Sequence, residues 1–351
     1  MPERTKTLVQ RIQEETARSI RDFYGDSIGR LKGRVQSDRS QLESLAEQLP
    51  WGEAQARIQE MIVSYWAIEG LLERSAGQLA RGAQEPVDQT VSREGHKDRQ
   101  AFEDVQTFCM FIGYPRSGHS LVGSLLDAHP NAVIAHELNA LECVGKGLDR
   151  GRILQLVLEN SRRVATSGRE WEGYSYKVPN QWQGRFERLR VIGDKKGGAS
   201  TRFLSSTPGI LRRLSDIIDA DVKFIHVVRN PYDNISTIFK YRRHHQGLKP
   251  VIEDYLFLCA TNSKIREWVG GDQVFDLRHE ALIDAPEELL GALCNFLGLE
   301  RIEDYLEDCA SLVFDSPRKT RYDVEWDAGT ITAVQEGIDR NEFLRGYSYE
   351  D

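Results

Sequence analysis

Residues 107–120 read TFCMFIGYPRSGHS. The first seven form a short apolar run closing in glycine, which predicts a buried strand. From Ser117 to Ala128, Leu121, Leu125 and Leu126 return at helical spacing, so a helix follows. A glycine-bounded turn between strand and helix aims backbone N–H groups at an anion, and the helix N-terminus adds positive potential. The turn has the outline of a nucleotide-binding loop, G-x-x-x-x-G-K-(S/T), with Gly113, Gly118 and Ser120 in place. His119 stands where the lysine belongs, and Arg116 lies two residues before Gly118. Asp194 ends another apolar strand and could mimic a magnesium-binding aspartate, but Lys195 and Lys196 follow it and compete with Mg²⁺ for that spot. The loop reads as a phosphate site that dispenses with a magnesium nucleotide. A tight turn with an incidental arginine is the plain alternative.

Outward from this loop the same texture recurs. Apolar strands are expected at AVIA (132–135), RLRVIGD (188–194), VKFIHVV (222–228) and QVFDL (273–277). Helices are expected at 151–165, 207–219, 232–243, 252–269 and 286–297. Strands alternating with helices predict an α/β fold, a three-layer parallel sheet with helices on both faces. Ligands bind such sheets at the carboxyl ends of strands. Three of those ends carry GYPRSGHS, GDKK and RNPYD.

Residues 1–81 have a different pattern. Ile28, Leu31, Val35, Leu42, Leu45 and Leu49 fall on one stripe, Pro50-Trp51-Gly52 interrupts it, and Ile58, Ile62, Tyr65, Ile68, Leu72 and Leu79 form a second. This predicts a coiled-coil-like N-terminal α-helical hairpin, its stripes serving as core or as a homodimer interface. Residues 82–104 are polar and aperiodic and read as a linker, leaving 105–351 as the main domain.

The chain has 351 residues and a net charge of −8, so no global basic field exists to hold nucleic acid. An anionic ligand needs a local basic pocket. Cys109, Cys143, Cys259, Cys294 and Cys309 are odd in number and scattered, which points to neither disulfides nor a zinc set. The charged N-terminus lacks an apolar signal core, and no apolar run reaches membrane-spanning length. A cytoplasmic protein is expected. His244-His245 lacks a partner set for a metal, and none is expected.

VVRNPYDNIST (227–237) suggests a second anion site. A strand ends in Arg229, a helix starts at Pro231, and Ser236 and Thr237 follow about two turns along. The plain alternative is that Arg229 pairs with Asp233.

Together the two sites resemble the sulfotransferases that use 3′-phosphoadenosine-5′-phosphosulfate (PAPS). That family's phosphosulfate loop reads Pro-(Lys/Arg)-Ser-Gly-(Thr/Ser)-(Thr/Ser). Pro115, Arg116, Ser117, Gly118 and Ser120 fit it, and His119 departs from it. Its 3′-phosphate motif, Arg-(Asp/Asn)-Pro with a hydroxyl eight residues after the arginine, is matched by Arg229, Asn230, Pro231 and Thr237, with Ser236 adjacent. LLDAHPN (125–131), LRHEALIDAPEELLGALCNFLGLE (277–300) and SPRKTRYDVEW (316–326) resemble further family segments, so the likeness covers roughly 105–345. It implies PAPS as sulfuryl donor, 3′,5′-adenosine bisphosphate (PAP) as product, and no required metal. It implies that Arg116 and Lys195, with Lys196 as fallback, stabilise charge on the transferring group. It implies that Arg318, Lys319 and Arg321 reach the 3′-phosphate. A glutamate at the matching distance is the base in protein-tyrosine sulfotransferases, so Glu137 is the first candidate base and His136 the second. A protonated His119 would add positive charge to the loop. The acceptor, whether small molecule, glycan or peptide, is not readable. Trp171, Tyr174, Tyr176 and Trp182 line its cleft or simply pack. A kinase using Mg-ATP and a non-catalytic PAP-binding scaffold are the competing functions.

Overall fold

A computed structural model describes residues 30–38, 40–42, 98, 100–171, 173–207, 209–242 and 247–351. Two compact units divide between Gly95 and His96. In the first, residues 30–38 and 40–42 are helical, on the first predicted stripe. The rest of the predicted hairpin and its second stripe, most of the predicted linker, and His244 and His245 lie outside the described residues.

The second unit is built on β1 (Thr107–Gly113), β2 (Ala132–His136), β5 (Val191–Lys195), β6 (Asp221–Val228) and β7 (Val274–Arg278). These form one sheet in the order β2-β5-β1-β6-β7, every pairing parallel. All seven β1 residues are buried, as a central strand covered on both faces requires. One face is filled by α1 (His119–Asp127), α9 (Pro286–Leu297) and α10 (Glu303–Ala310). The other carries α6 (Pro231–Arg242), α7 (Lys249–Val269) and α11 (Ala328–Arg340). From β1 the chain passes to β2 and β5 on one side, then to β6 and β7 on the other. The crevice this reversal opens lies beyond Gly113, where a doubly wound sheet takes its ligand.

The remaining elements are α2 (Ala140–Gly145), α3 (Arg150–Thr166), α4 (Gly198–Ser206), α5 (Ile210–Ile218), α8 (His279–Asp284) and a hairpin of β3 (Glu170–Trp171) with β4 (Tyr174–Ser175). The helix expected at 207–219 is α5, and α4, which was not expected, precedes it across a break that includes Gly209 at φ 79°. Phe102 is buried and Asp98 accepts two hydrogen bonds from Arg162, so the end of the expected linker is part of the packed unit. All five cysteines are buried and free. Among the described residues no helix is long and apolar enough to cross a membrane.

The hairpin is anchored by a buried ion pair. Arg169 donates to Asp127 at the end of α1, and both are almost fully buried. Asp127 also accepts from the Ile134 and Gly184 amides and the Ser161 hydroxyl. Burial pushes the Asp127 carboxyl upward against the pull of Arg169 and these donors.

Candidate active site

Three strand ends converge on the crevice. Beyond β1, residues 114–118 turn tightly, with Arg116 at φ 64° and Gly118 at φ 98°. Ser117 donates to the Tyr114 carbonyl at 3.1 Å, and Asn234 from α6 donates to the Pro115 carbonyl at 2.6 Å. The loop is thus braced by itself and by the helix after the second anion motif. The Arg116 guanidinium stacks 3.5 Å above the ring of Tyr241, which is 65% exposed near the end of α6. Nothing in the sequence spacing linked these two residues, because the contact spans two separate elements.

Beyond β5, Lys195 turns under the loop rather than into water. Its side chain lies over Gly123 of α1, where a Cβ would stand 2.8 Å from Lys195 Cγ. Its ammonium donates to Ser120 Oγ and to Glu137 Oε1, each at 3.0 Å. Burial lowers the Lys195 pKa, and Glu137 opposes that. Lys196 adds a longer contact, 3.7 Å, to the other Glu137 oxygen.

Glu137 follows β2 in a left-handed conformation, φ 57°. Asp194 holds this turn, its two oxygens accepting the Leu138 and Ala140 amides at 3.0 and 2.8 Å. It therefore caps the turn that carries Glu137. Side-chain exposure is 45% for Glu137 against 1% for Lys195, so the pair has one wet member. Burial tends to raise the Glu137 pKa, but Lys195, its hydrogen bond and Lys196 outweigh it and hold the carboxyl down at about 2. His136 is pushed to about 4 by burial and by Lys195.

His119 is not the extra cation the sequence suggested. Its ring is buried over Gly197, where a Cβ would lie 2.7 Å from Nε2, and Nδ1 lies 3.2 Å from Ser117 Oγ. Ser117 Oγ thus sits between the Tyr114 carbonyl and His119 Nδ1. Burial and Lys195 push its pKa to about 3, and the ring is neutral.

At the end of β6, Arg229 is buried and donates to Thr237 Oγ1 at 3.1 Å and to the Arg318 carbonyl at 2.6 Å. Its buried Nε has no hydrogen-bond partner among the described residues. Arg229 does not pair with Asp233. Arg321 does, through its backbone amide, Nε and a terminal nitrogen, and it also donates to the Ser348 and Tyr349 carbonyls. Arg321 is therefore a buried strut for the 316–326 segment rather than a phosphate contact. Ser236 is likewise buried and accepts from the Trp326 indole at 3.2 Å, which leaves Thr237 as the hydroxyl beside Arg229. Arg318 and Lys319 are exposed, and the Arg318 guanidinium lies 5.5 Å from the centre of Tyr174. Tyr174 meets Phe314 and Tyr176 edge to face. Trp182 lies under Arg185, and the Trp171 side chain is outside the described residues. His279, which no sequence signal marked, fills the space where Gly118 lacks a side chain, and its buried Nδ1 has no partner.

The site thus offers a backbone cradle, two arginines at neighbouring strand ends and a buried lysine touching a carboxylate. That set can grip a ligand with two separated phosphates, neutralise charge between them and accept a proton.

No curated protein sequence matches the chain. Among solved structures, the chain is similar to the sulfotransferase domain of the Synechococcus PCC 7002 olefin synthase, with 18% identity, 66% of this chain and 94% of that one covered, and a TM-score of 0.41. It is similar to sulfotransferase STF9 from Mycobacterium avium, with 12% identity, 79% and 86% covered, and a TM-score of 0.42. The corresponding values for mouse sulfotransferase SULT7A1, solved with PAP, are 14%, 70% and 84%, and 0.39. Residues 110–304 match the sequence profile of the Sulfotransferase family. That match takes in more than half of the chain, from the end of β1 and the phosphate loop through Lys195 and Arg229 to the start of α10, and by it the chain belongs to the Sulfotransferase family.

Proposed function

We propose that the chain moves a sulfuryl group from PAPS to a hydroxyl or amine of an acceptor by in-line displacement, with Glu137 as base. The observation that carries this reading is the position of Lys195 Nζ, 3.0 Å from both Ser120 on the phosphate loop and Glu137 on the neighbouring strand end. One ammonium joins the donor side of the crevice to the acceptor side.

PAPS supplies an activated sulfuryl group; the chain supplies grip, charge and a proton acceptor. Pro115 to Ser120 cradle the 5′-phosphosulfate, His119 acting as a neutral wedge that fixes Ser117. Arg229 and Thr237 hold the 3′-phosphate, with Arg318 and Lys319 above them. Lys195 and Arg116 stabilise charge that builds on the sulfuryl and leaving phosphate oxygens. A transferring sulfuryl group carries less negative charge than a phosphoryl group, so protein cations suffice where a kinase needs Mg²⁺. Glu137 takes the acceptor proton; His136 is the second candidate, and both are unprotonated near neutrality. The acceptor lies outside the buried crevice, on the side where Glu137 is wet.

Titration calorimetry with PAP, in parallel with ADP and without Mg²⁺, tests the reading. Wild-type protein is expected to bind PAP in the micromolar range and ADP much more weakly. Arg229→Ala should weaken PAP by roughly 10- to 100-fold, the range for losing charged hydrogen bonds, and leave ADP unchanged. Nucleotide binding only when Mg²⁺ is added would return the loop to the kinases.

A further inference from the structure

Behind the phosphate loop runs a chain of buried hydrogen bonds that the proposed transfer does not use. The Gly113 amide donates to Thr201 Oγ1 of α4 at 3.0 Å. Thr201 Oγ1 has two acceptors in reach, Asn262 Oδ1 of α7 at 2.8 Å and the Gly113 carbonyl at 3.4 Å, and its proton goes to the nearer, Asn262. The Asn262 amide nitrogen lies 3.3 Å from His226 Nε2 on β6, and His226 Nδ1 lies 2.9 Å from Asp276 Oδ1 on β7. Arg266 closes the chain by donating to the other Asp276 oxygen.

The roles are fixed from one end. A threonine hydroxyl has one proton. Given to Asn262 Oδ1, it leaves Thr201 an acceptor for Gly113 and turns the Asn262 NH₂ toward His226. His226 Nε2 must then accept, so its proton is on Nδ1, facing Asp276. Every donor points the same way, from Gly113 to a carboxylate. Bonds aligned in this manner polarise one another in a dry interior. Thr201, Asn262 and His226 are all buried.

Gly113 is the residue from which the loop leaves the sheet, at φ 132°. A Cβ there would lie 3.1 Å from the Val227 carbonyl, so the turn cannot be relieved by another side chain. The chain also touches the elements that carry the rest of the site. Thr201 is on the helix after Lys195 and Lys196, His226 is on β6, which Arg229 follows, and Asp276 is on β7, which His279 follows.

We propose that Thr201, Asn262 and His226 are positioning residues that set the phosphate loop through the Gly113 amide, with Asp276 as the anchor. The inference rests on the PAPS reading for its ligand, but not for its geometry.

The test combines PAP calorimetry with hydrogen exchange of a peptide spanning Gly113, in full-length protein. Thr201→Val keeps the shape and removes the acceptor; Thr201→Ser keeps the acceptor. Thr201→Val is expected to weaken PAP about 5- to 20-fold and to speed Gly113 exchange by at least about tenfold, the scale of a lost buried hydrogen bond. Thr201→Ser should restore both. Asn262→Leu should resemble Thr201→Val, and the double variant should weaken PAP no further than the worse single, because the two act in series. Melting temperatures identify variants that fail simply by unfolding, and for these Thr201→Ser against wild type decides. Unchanged affinity and exchange in Thr201→Val, or multiplicative effects in the double variant, would overturn the inference. If wild-type protein binds no PAP, the functional reading falls and Gly113 exchange alone decides this one.

Discussion

Glu137→Gln is expected to lower turnover by about 10²- to 10⁴-fold, the usual worth of a positioned general base, with PAP binding kept or tightened. The substitution retains the shape of the side chain and removes its charge. Lys195 then loses an ionic partner at 3.0 Å and is freer to meet an anion on the loop. Turnover and donor affinity should therefore move apart, which a merely structural role would not produce. His136→Gln is the control. Loss of turnover there, with Glu137→Gln silent, would transfer the base to His136; silence in both would favour a scaffold that binds PAP without using it. The pH profile adds a second check. Glu137 is held at about 2 and His136 at about 4, so both lie below their ordinary values. Because kcat/KM reports the free enzyme, neither group should produce an acid limb between about pH 5 and about pH 8.

Asp127→Ala is expected to destabilise the sulfotransferase unit by about 3–5 kcal/mol, since it strands the buried Arg169 guanidinium without its carboxylate. The amides of Ile134 and Gly184 and the Ser161 hydroxyl also lose their acceptor. The sign of the Asp127 pKa shift matters here. Burial raises it despite Arg169, and a buried ion pair is in general worth little against an apolar pair of the same shape. Removing one partner should thus cost far more than replacing both. In urea unfolding, the Asp127→Ala/Arg169→Met double variant should be less destabilised than the sum of the singles. Equality with the sum would mean that the two residues act independently.

The strands were legible because each is a short apolar run, and β1 coincides with TFCMFIG to the residue. The loop and the Arg229 segment were legible because they are local: their residues are neighbours in the chain. What sequence could not supply was which polar groups were already engaged. Arg321 looks like a phosphate ligand in SPRKTRYDVEW, yet Asp233 and two carbonyls occupy it, 27 or more residues away in the chain. Arg116 on Tyr241 and His279 against Gly118 are contacts between elements, and no spacing rule reaches that far. His119 was read as a possible cation because its type was visible and its burial was not. Helix α4 escaped because GASTRFLSS carries only two large apolar residues, the adjacent Phe203 and Leu204, and so shows no helical repeat.

The tie between Lys195 and Glu137 has a kinetic consequence. While two lysines hold the carboxylate at about 2, it is a poor proton acceptor. An anion arriving on the phosphate loop competes for the same ammonium, and whatever share it draws away returns basicity to Glu137. An acceptor that binds first therefore meets an idle base, and water meets the same idle base in its absence. Under the proposed mechanism, catalytic competence follows occupancy of the donor site, whichever substrate binds first.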